Sequence, residues 1–207
     1  MKALILVDIQ KDFLPGGALA VPHGDEVVPV ANRLIGNSVF DLVIASKDWH
    51  PPNHVSFAEQ HEGKRSGDVI DLNGFEQILW PAHCVRDTSG AEFAPGLHAE
   101  QTDKIVLKGD DREIDSYSAF FDNGHRKTTG LGDYLKEHDV TEVYLVGLAT
   151  DVCVKFTALD ARALGLETFV IEDGCRGVDL KPGDVQRAFE EMRQAGVQII
   201  PSTRLSE

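Results

Sequence analysis

Short apolar runs alternate with amphipathic stretches along almost the whole chain. The apolar runs are rich in Val, Ile and Leu and have the length of strands that are buried on both faces. They span residues 3–9, 42–46, 105–107, 142–147, 168–171 and 198–200. Between them, apolar residues recur at three- and four-residue steps, the period of a helix that packs one face against a core. The four stripes are Val27, Val30, Ala31, Leu34 and Ile35; Leu131, Tyr134, Leu135 and His138; Val152, Phe156, Leu159 and Ala163; and Val185, Ala188, Phe189 and Met192.

This alternation predicts a doubly wound α/β fold, in which a mainly parallel sheet carries helices on both faces. No repeat, low-complexity tract or linker divides the chain, so we expect a single domain over residues 1–207. Two polar stretches, 49–73 and 110–129, are too long for plain connections. Their aromatic and histidine residues indicate functional loops.

Composition and charge narrow the class of protein. The chain has 207 residues, of which 42% are hydrophobic and 26% charged, as in ordinary globular proteins. With 34 acidic and 20 basic residues the net charge is −14, which repels phosphate backbones and anionic lipids. We therefore expect no nucleic-acid or membrane partner. The first apolar run is too short for a signal peptide, and no 18-residue apolar stretch follows. Three cysteines make a disulfide framework improbable and leave at least one free thiol.

Chemically active side chains follow several predicted strands. In an open parallel sheet, ligands bind beyond the carboxyl ends of the strands. Asp8 ends the first strand, Asp48 and His50 follow the second, Lys108 ends the third, and residues 147–151 lead from the fourth to Cys153. A carboxylate, a pair of metal-ligand residue types, an amine and a thiol should therefore meet at one edge of the sheet.

Cys153 is the candidate nucleophile. It is predicted to lie in the first turn of a helix, where free backbone N–H groups and a nearby Lys108 should lower the pKa of the thiol below its usual value of about 8.5. Asp8 could then accept the proton. The alternative is a buried structural cysteine. Cys84 and Cys175 have no comparable surroundings and are expected to be core residues.

A histidine-rich stretch indicates a metal site. Asp48 and His50 are spaced so that both can reach one ion from a single loop, and His83 is the candidate third ligand from another loop. Such oxygen and imidazole donors suit zinc, iron or manganese. The alternative is a set of loop histidines that face water. Glycine-rich motifs for dinucleotides or P-loop nucleotides are absent from the sequence.

Five motifs occur in a recognisable order. They are VDIQKDF at residues 7–13, DWHPPNH at 48–54, WPAHCV at 80–85, DSYSAFF at 115–121 and GLATDVCV at 147–154. Over nearly its whole length the chain resembles the nicotinamidases, cysteine amidohydrolases of the isochorismatase-like fold. The resemblance implies a catalytic triad of Asp8, Lys108 and Cys153.

The resemblance also assigns residues around the triad. It implies metal ligands at Asp48, His50 and His83, whereas His54 matches a position that binds metal in only some members. Residues lining a pyridine pocket are implied at Phe13, Trp80 and Tyr117. A cis peptide is implied at Leu148–Ala149, with an oxyanion hole formed by the backbone amides of Ala149 and Cys153. Residues 59–79, including His61, match the family only loosely and receive no role.

The activity implied by the resemblance is that of a hydrolase acting on a linear carboxamide. Nicotinamide would be converted to nicotinate and ammonia through a cysteine thioester, as part of NAD salvage in the cytoplasm. Pyrazinamide should also be accepted. One divalent ion is implied, with Zn²⁺ preferred over Fe²⁺ or Mn²⁺, and self-association is left open. Two rival hypotheses are a metal-hydroxide amidase acting on another small aromatic amide and a non-catalytic small-molecule binder.

Overall fold

The computed structural model describes residues 1–72 and 74–205. Its strands, in chain order, are β1 (Lys2–Val7), β2 (Leu42–Asp48), β3 (Val69–Leu72), β4 (Phe75–Ile78), β5 (Lys104–Lys108), β6 (Glu142–Leu148), β7 (Glu167–Arg176) and β8 (Gln198–Ile200). Six of them form one parallel sheet in the order β5–β2–β1–β6–β7–β8. The predicted mainly parallel sheet is confirmed, and the four strands β5, β2, β1 and β6 are neighbours within it.

Helices cover both faces of this sheet, as predicted. They are α1 (Val27–Ile35), α2 (Leu131–Glu137), α3 (Lys155–Ala163) and α4 (Asp184–Gln194). Alternate residues of β1 point to opposite faces: Leu4 and Leu6 join the core under α1, whereas Ala3 and Ile5 join the core under the other three helices. The strands are therefore apolar on both faces, which explains their continuous hydrophobic runs.

The predicted inward stripe of α3 is wrong. Phe156 is 39% exposed and Ala163 is also exposed, whereas Thr157, Ala158 and Ala161 are buried. A π-helical turn, Thr150–Val154, precedes α3. Such a turn holds one residue more than an α-helical turn, so the residues after it are rotated by about 100° relative to the expected register. The extra residue in the π-helical turn thus shifts the buried face of α3 by one position.

The two long polar stretches differ in structure. The first, interpreted as a loop over residues 49–73, contains β3, which pairs with β4 in an antiparallel hairpin separate from the main sheet. Asn73, the last residue of that predicted loop, lies outside the described residues. The second stretch runs as an irregular loop from β5 towards α2. It carries Asp115, Ser116 and Tyr117 to the carboxyl edge of the sheet.

Two further sequence expectations concern cysteines and membranes. Cys84, Cys153 and Cys175 are all buried and free, so the expectation of no disulfide framework is confirmed. Within the described part of the chain, the helices are too short or too polar to cross a bilayer.

Candidate active site and metal centre

The ends of four adjacent strands bring the candidate residues together. Lys108, the last residue of β5, is directly opposite Asp48, the last residue of β2. Asp8 follows β1, and Cys153 lies in the turn that follows β6. One atom from each of Asp8, Asp48 and Cys153 lies within 4.8 Å of the others. The predicted convergence at the carboxyl edge of the sheet is therefore observed.

Lys108 occupies the centre of this group. Its side chain is completely buried, and its Nζ lies 2.8 Å from Asp8 Oδ2 and in hydrogen-bond contact with Asp48 Oδ1. The same ammonium donates to the Ser116 carbonyl at 2.9 Å and lies 3.5 Å from Cys153 Sγ. Burial by itself lowers the pKa of Lys108, but the two carboxylates reverse this and hold it well above its usual value. Lys108 is therefore a permanent cation.

Asp8 is held from two sides. Ser46 Oγ donates to Asp8 Oδ1 at 2.7 Å, and the Lys108 ammonium faces Asp8 Oδ2. Asp8 has a left-handed backbone conformation, with φ of 47°, which is uncommon for a residue other than glycine and frequent at functional sites. Burial raises the pKa of Asp8, and Lys108 offsets only part of that effect. A carboxylate with a raised pKa is a better proton acceptor.

The expectation of a lowered thiol pKa at Cys153 is wrong. Burial raises the pKa of the thiol well above its usual value, and the nearby Asp8 and Asp48 carboxylates add to that effect. Lys108 acts in the expected direction but is outweighed. In addition, Cys153 lies in the π-helical turn rather than in the first turn of α3. The resting residue is thus a thiol that needs a base, and the Asp8 carboxylate is beside it.

Asp48, His50 and His83 form a second group on the other side of Lys108. The Nε2 atoms of both histidines lie 3.6 Å from Asp48 Oδ2. His50 Nδ1 donates to the Gly109 carbonyl at 2.9 Å, and His83 Nδ1 donates to the Pro81 carbonyl at 2.8 Å. Because a carbonyl can only accept, each ring carries its proton on Nδ1 and presents the Nε2 lone pair to the space beside Asp48.

These three residues fit a divalent metal ion. His50 Nε2 is buried without a hydrogen-bond partner, which is costly for a polar atom unless something else occupies its lone pair. Burial by itself raises the pKa of Asp48, but the Lys108 ammonium holds it well below its usual value, so the carboxylate is ionised. An ionised carboxylate and two lone pairs in mutual reach form a metal-ligand set.

His54 differs from these two histidines because both of its ring nitrogens are already used. Nδ1 lies 2.7 Å from Ser56 Oγ, and Nε2 lies 3.3 Å from the Ile114 carbonyl. Its ring packs against that of His50 at a centroid distance of 4.4 Å. A group of His50, His54 and Asp115 also has the spacing of a metal site. The hydrogen bonds of His54 favour a supporting role behind His50 instead.

A cavity opens at Cys153. Its wall is largely apolar and aromatic, as in small-molecule sites. The lining residues include all three predicted pocket residues, Phe13, Trp80 and Tyr117, together with Ala149, Cys153, Asp48 and His83. The peptide bond Leu148–Ala149 is cis, as the resemblance implied. The cavity thus joins the thiol, the candidate oxyanion residues and the candidate metal ligands.

Several supporting residues were not found from the sequence. Gln10 bonds through its side-chain amide to the backbone N–H and C=O of Asp48 and so fixes the end of β2. Asp12 accepts from the backbone N–H of Cys84 at 2.7 Å and so supports the loop that carries His83. Ser46 is the third. Their only sequence signal is proximity to strand ends.

Comparisons with known proteins agree on one family. Residues 2–204 match the family described as the isochorismatase domain. The chain is 52% identical to a nicotinamidase of Escherichia coli over 200 residues, which is 96% of this chain and 93% of that relative. It is similar to the structure of an Acinetobacter baumanii nicotinamidase and pyrazinamidase, with a TM-score of 0.95 and 47% identity over 99% of this chain and 98% of that one. A Pyrococcus horikoshii pyrazinamidase solved in complex with zinc has a TM-score of 0.78 and 39% identity, over 97% and 98% of the two chains.

Proposed function

The chain belongs to the isochorismatase domain family, and we propose that it hydrolyses nicotinamide to nicotinate and ammonia. We assign this reaction to Asp8, Lys108 and Cys153. The observation that carries this assignment is the position of Cys153. Its thiol borders the cavity, while the carboxylate of Asp8 lies within 4.8 Å of it and the Lys108 ammonium 3.5 Å away. This arrangement supports the roles of Cys153 as the nucleophile, Asp8 as its base and Lys108 as the neighbouring cation, beside one small aromatic pocket.

In the first half of the reaction, Asp8 takes the proton of the Cys153 thiol. The sulfur electron pair forms a bond to the carboxamide carbon, and the carbonyl π electrons move to oxygen. The backbone amides of Ala149 and Cys153 would donate to this oxyanion; removal of one such donor in other enzymes costs about 10²–10³ in rate. Lys108 stabilises the anionic charge that Asp8 and Cys153 share.

In the second half, Asp8 returns its proton to the leaving nitrogen. The oxyanion reforms a carbonyl, the carbon–nitrogen bond breaks, and ammonia leaves a nicotinoyl thioester on Cys153. Water then loses a proton to Asp8 and attacks the thioester carbonyl. Collapse of that adduct expels the thiolate, which takes the proton back from Asp8, and leaves nicotinic acid, which loses its acid proton to solvent and departs as nicotinate. The net reaction consumes one water for each amide.

The chain carries a divalent-metal site, and Asp48, His50 and His83 are the residues that would hold the ion. Zn²⁺ is our preferred ion because one carboxylate and two imidazoles suit it, although the same donors accept Fe²⁺ or Mn²⁺. An ion bound there supplies a Lewis-acid contact for a lone pair on the substrate ring. The chain's own contribution is the pair of Nδ1 hydrogen bonds that aim both imidazoles.

The setting of the reaction follows from its chemistry. Pyrazinamide presents the same ring shape and carboxamide, so it is a second expected substrate. Nicotinate is consumed in NAD salvage, and this role supports a cytoplasmic location as part of the proposal. The net charge of −14 gives no basis for a nucleic-acid partner.

The test of this proposal is ammonia release after nicotinamide is added to the metal-replete protein. We expect equal molar amounts of ammonia and nicotinate, measured by a coupled ammonia assay and by chromatography. A chain that binds nicotinamide without releasing either product would contradict the enzyme assignment and favour the non-catalytic binder.

A further inference from the structure

The β3–β4 hairpin lies within the segment to which the sequence assigned no role, and one of its side chains contacts two residues that line the cavity. Of the eight strand residues in this hairpin, all within the described part of the chain, Gln77 alone is buried. Its neighbour Glu76 is exposed. A buried side-chain amide is expected to have hydrogen-bond partners, because an unpaired one is costly.

The partners of Gln77 belong to the pocket. Its Nε2 lies 3.0 Å from the Tyr117 hydroxyl, 3.2 Å from Asp115 Oδ2 and 2.7 Å from the Ile78 carbonyl. A carboxylate and a carbonyl can only accept, so the amide nitrogen, rather than its oxygen, must face this group, and its two protons are shared among the three oxygens. Asp115 and Tyr117 both line the cavity above Cys153.

The Tyr117 hydroxyl receives a second donor from the other side. Trp80 Nε1 lies 3.3 Å from the same oxygen. Within the described residues, both hydrogen bonds to this hydroxyl therefore come from donors, and its own proton is left for another acceptor. Burial raises the pKa of Tyr117, so the phenol keeps that proton.

Gln77 also removes a competing acceptor. Asp115 accepts from the Ser116 backbone N–H at Oδ1 and from Gln77 at Oδ2. Without the Gln77 amide, Asp115 Oδ2 would lack the donor that it shares with the Tyr117 hydroxyl, and it would compete for other protons nearby.

We propose that Gln77 is a positioning residue for substrate binding, which holds the Tyr117 hydroxyl so that its proton is donated to a lone pair of the bound amide. This inference rests on the proposed function, because it takes nicotinamide as the ligand. It gives the β3–β4 hairpin a role in the active site. Gln77 acts through Tyr117 and does not touch the reacting atoms.

The experiment is a double-mutant cycle on ligand binding, with Cys153→Ala as the background so that no turnover occurs. The dissociation constant of nicotinamide is measured by calorimetry for the background and for the added changes Gln77→Leu, Tyr117→Phe and both together. Each single change should weaken binding about three- to tenfold, the equivalent of one neutral hydrogen bond. The double change should weaken it no more than either single one, because both remove the same interaction.

Glu76→Leu is the matched control, since it places the same side chain on the same strand at an exposed position. It should leave the dissociation constant unchanged. Unaltered binding by Gln77→Leu, additive effects in the double variant, or an equal loss in the control would overturn the proposal. Turnover of nicotinamide by the chain with Cys153 intact tests the proposed function separately. If the dissociation constants change as expected but this chain shows no turnover, only the proposed reaction is refuted. If this chain turns over nicotinamide but the dissociation constants do not change as expected, only the role of Gln77 is refuted.

Discussion

Lys108 and Asp48 form a buried ion pair that joins the proposed catalytic triad to the proposed metal ligands. The same ammonium lies 2.8 Å from Asp8 Oδ2, so one cation neutralises two buried carboxylates. The Asp48 charge is one of the causes that raise the pKa of Asp8. The two halves of the site are therefore electrostatically linked, and a change at Lys108 should be felt by both.

We expect Lys108→Met to destabilise the fold as well as to abolish turnover. It leaves two buried carboxylates without a cation, and breaking a buried pair costs about 3–5 kcal/mol. The free energy of unfolding in urea at pH 7 measures this loss. Lys127→Met, which removes an exposed ion pair with Asp110, is the control and should cost less than about 1 kcal/mol. Equal stabilities of the two variants would refute the shared-cation account.

Cys153→Ala should abolish turnover and retain the metal, because no ligand has been changed. Loss of a nucleophile in a hydrolase triad lowers kcat by roughly 10⁴- to 10⁶-fold. Ammonia release measures activity, and elemental analysis measures the metal. Cys175→Ala is the matched control: Cys175 is a second buried free thiol, but it lies in β7 and is not among the residues that line the cavity. Hydrolysis by Cys153→Ala at a rate near that of the unaltered chain would mean that metal-bound hydroxide attacks instead.

Rapid quenching during turnover should trap a thioester on the peptide that contains Cys153, visible as a mass increase. Asp8→Asn should fail before this adduct forms, because an amide cannot accept the thiol proton. An adduct that still accumulates in Asp8→Asn would remove Asp8 from the role of the first base.

His50→Ala and His83→Ala should each weaken metal binding at least about 10- to 100-fold, the loss found even for partners of ligands. His54→Ala should have a smaller effect, since both of its ring nitrogens are hydrogen-bonded elsewhere. Metal content after dialysis, together with the KM for nicotinamide, measures the difference. Full occupancy in His83→Ala would remove it from the ligand set.

Gly109→Ala should also weaken metal binding, although Gly109 offers no ligand side chain. A Cβ at this position would lie 2.4 Å from His50 Cε1, so the imidazole would have to shift. Gly130→Ala is the control: it has a similar positive φ of 86°, but no atom lies within 4 Å of its added Cβ. Both changes carry backbone strain of about 1–2 kcal/mol, and only Gly109→Ala should lower the metal content. Equal metal content in both variants would contradict the close contact with His50.

Asp173→Asn should reduce stability in a pH-dependent way. Burial by itself raises the pKa of Asp173, but two hydrogen bonds from Ser202 and the charge of Arg33 lower it by more. The pKa in the folded state therefore lies below the usual value. The ionised form therefore stabilises the fold above about pH 4, and this contribution is lost as the pH falls through the folded pKa. We expect a loss of about 0.5–1.5 kcal/mol at pH 7 that shrinks towards pH 3 in urea unfolding. If the difference in unfolding free energy between the unaltered chain and Asp173→Asn stays constant from pH 7 to pH 3, the stabilising role of the ionised Asp173 is refuted.

The sequence by itself determined the layers of the fold and the composition of the site. Strand and helix periodicities are local, so they predicted every strand of the main sheet and all four helices. Parallel strands present their carboxyl ends at one edge, so the positions of Asp8, Asp48, Lys108 and Cys153 relative to the strands were enough to bring them together.

The tertiary structure decided what depends on contacts between distant residues. The inward face of α3 was set by the π-helical turn before it, and the partners of Gln77 were set by packing of a hairpin that lacks strong periodicity. The state of the Cys153 thiol is another case. Its pKa is raised because burial and two carboxylates outweigh one ammonium, and desolvation and through-space charge depend on the folded surroundings rather than on neighbours in the chain.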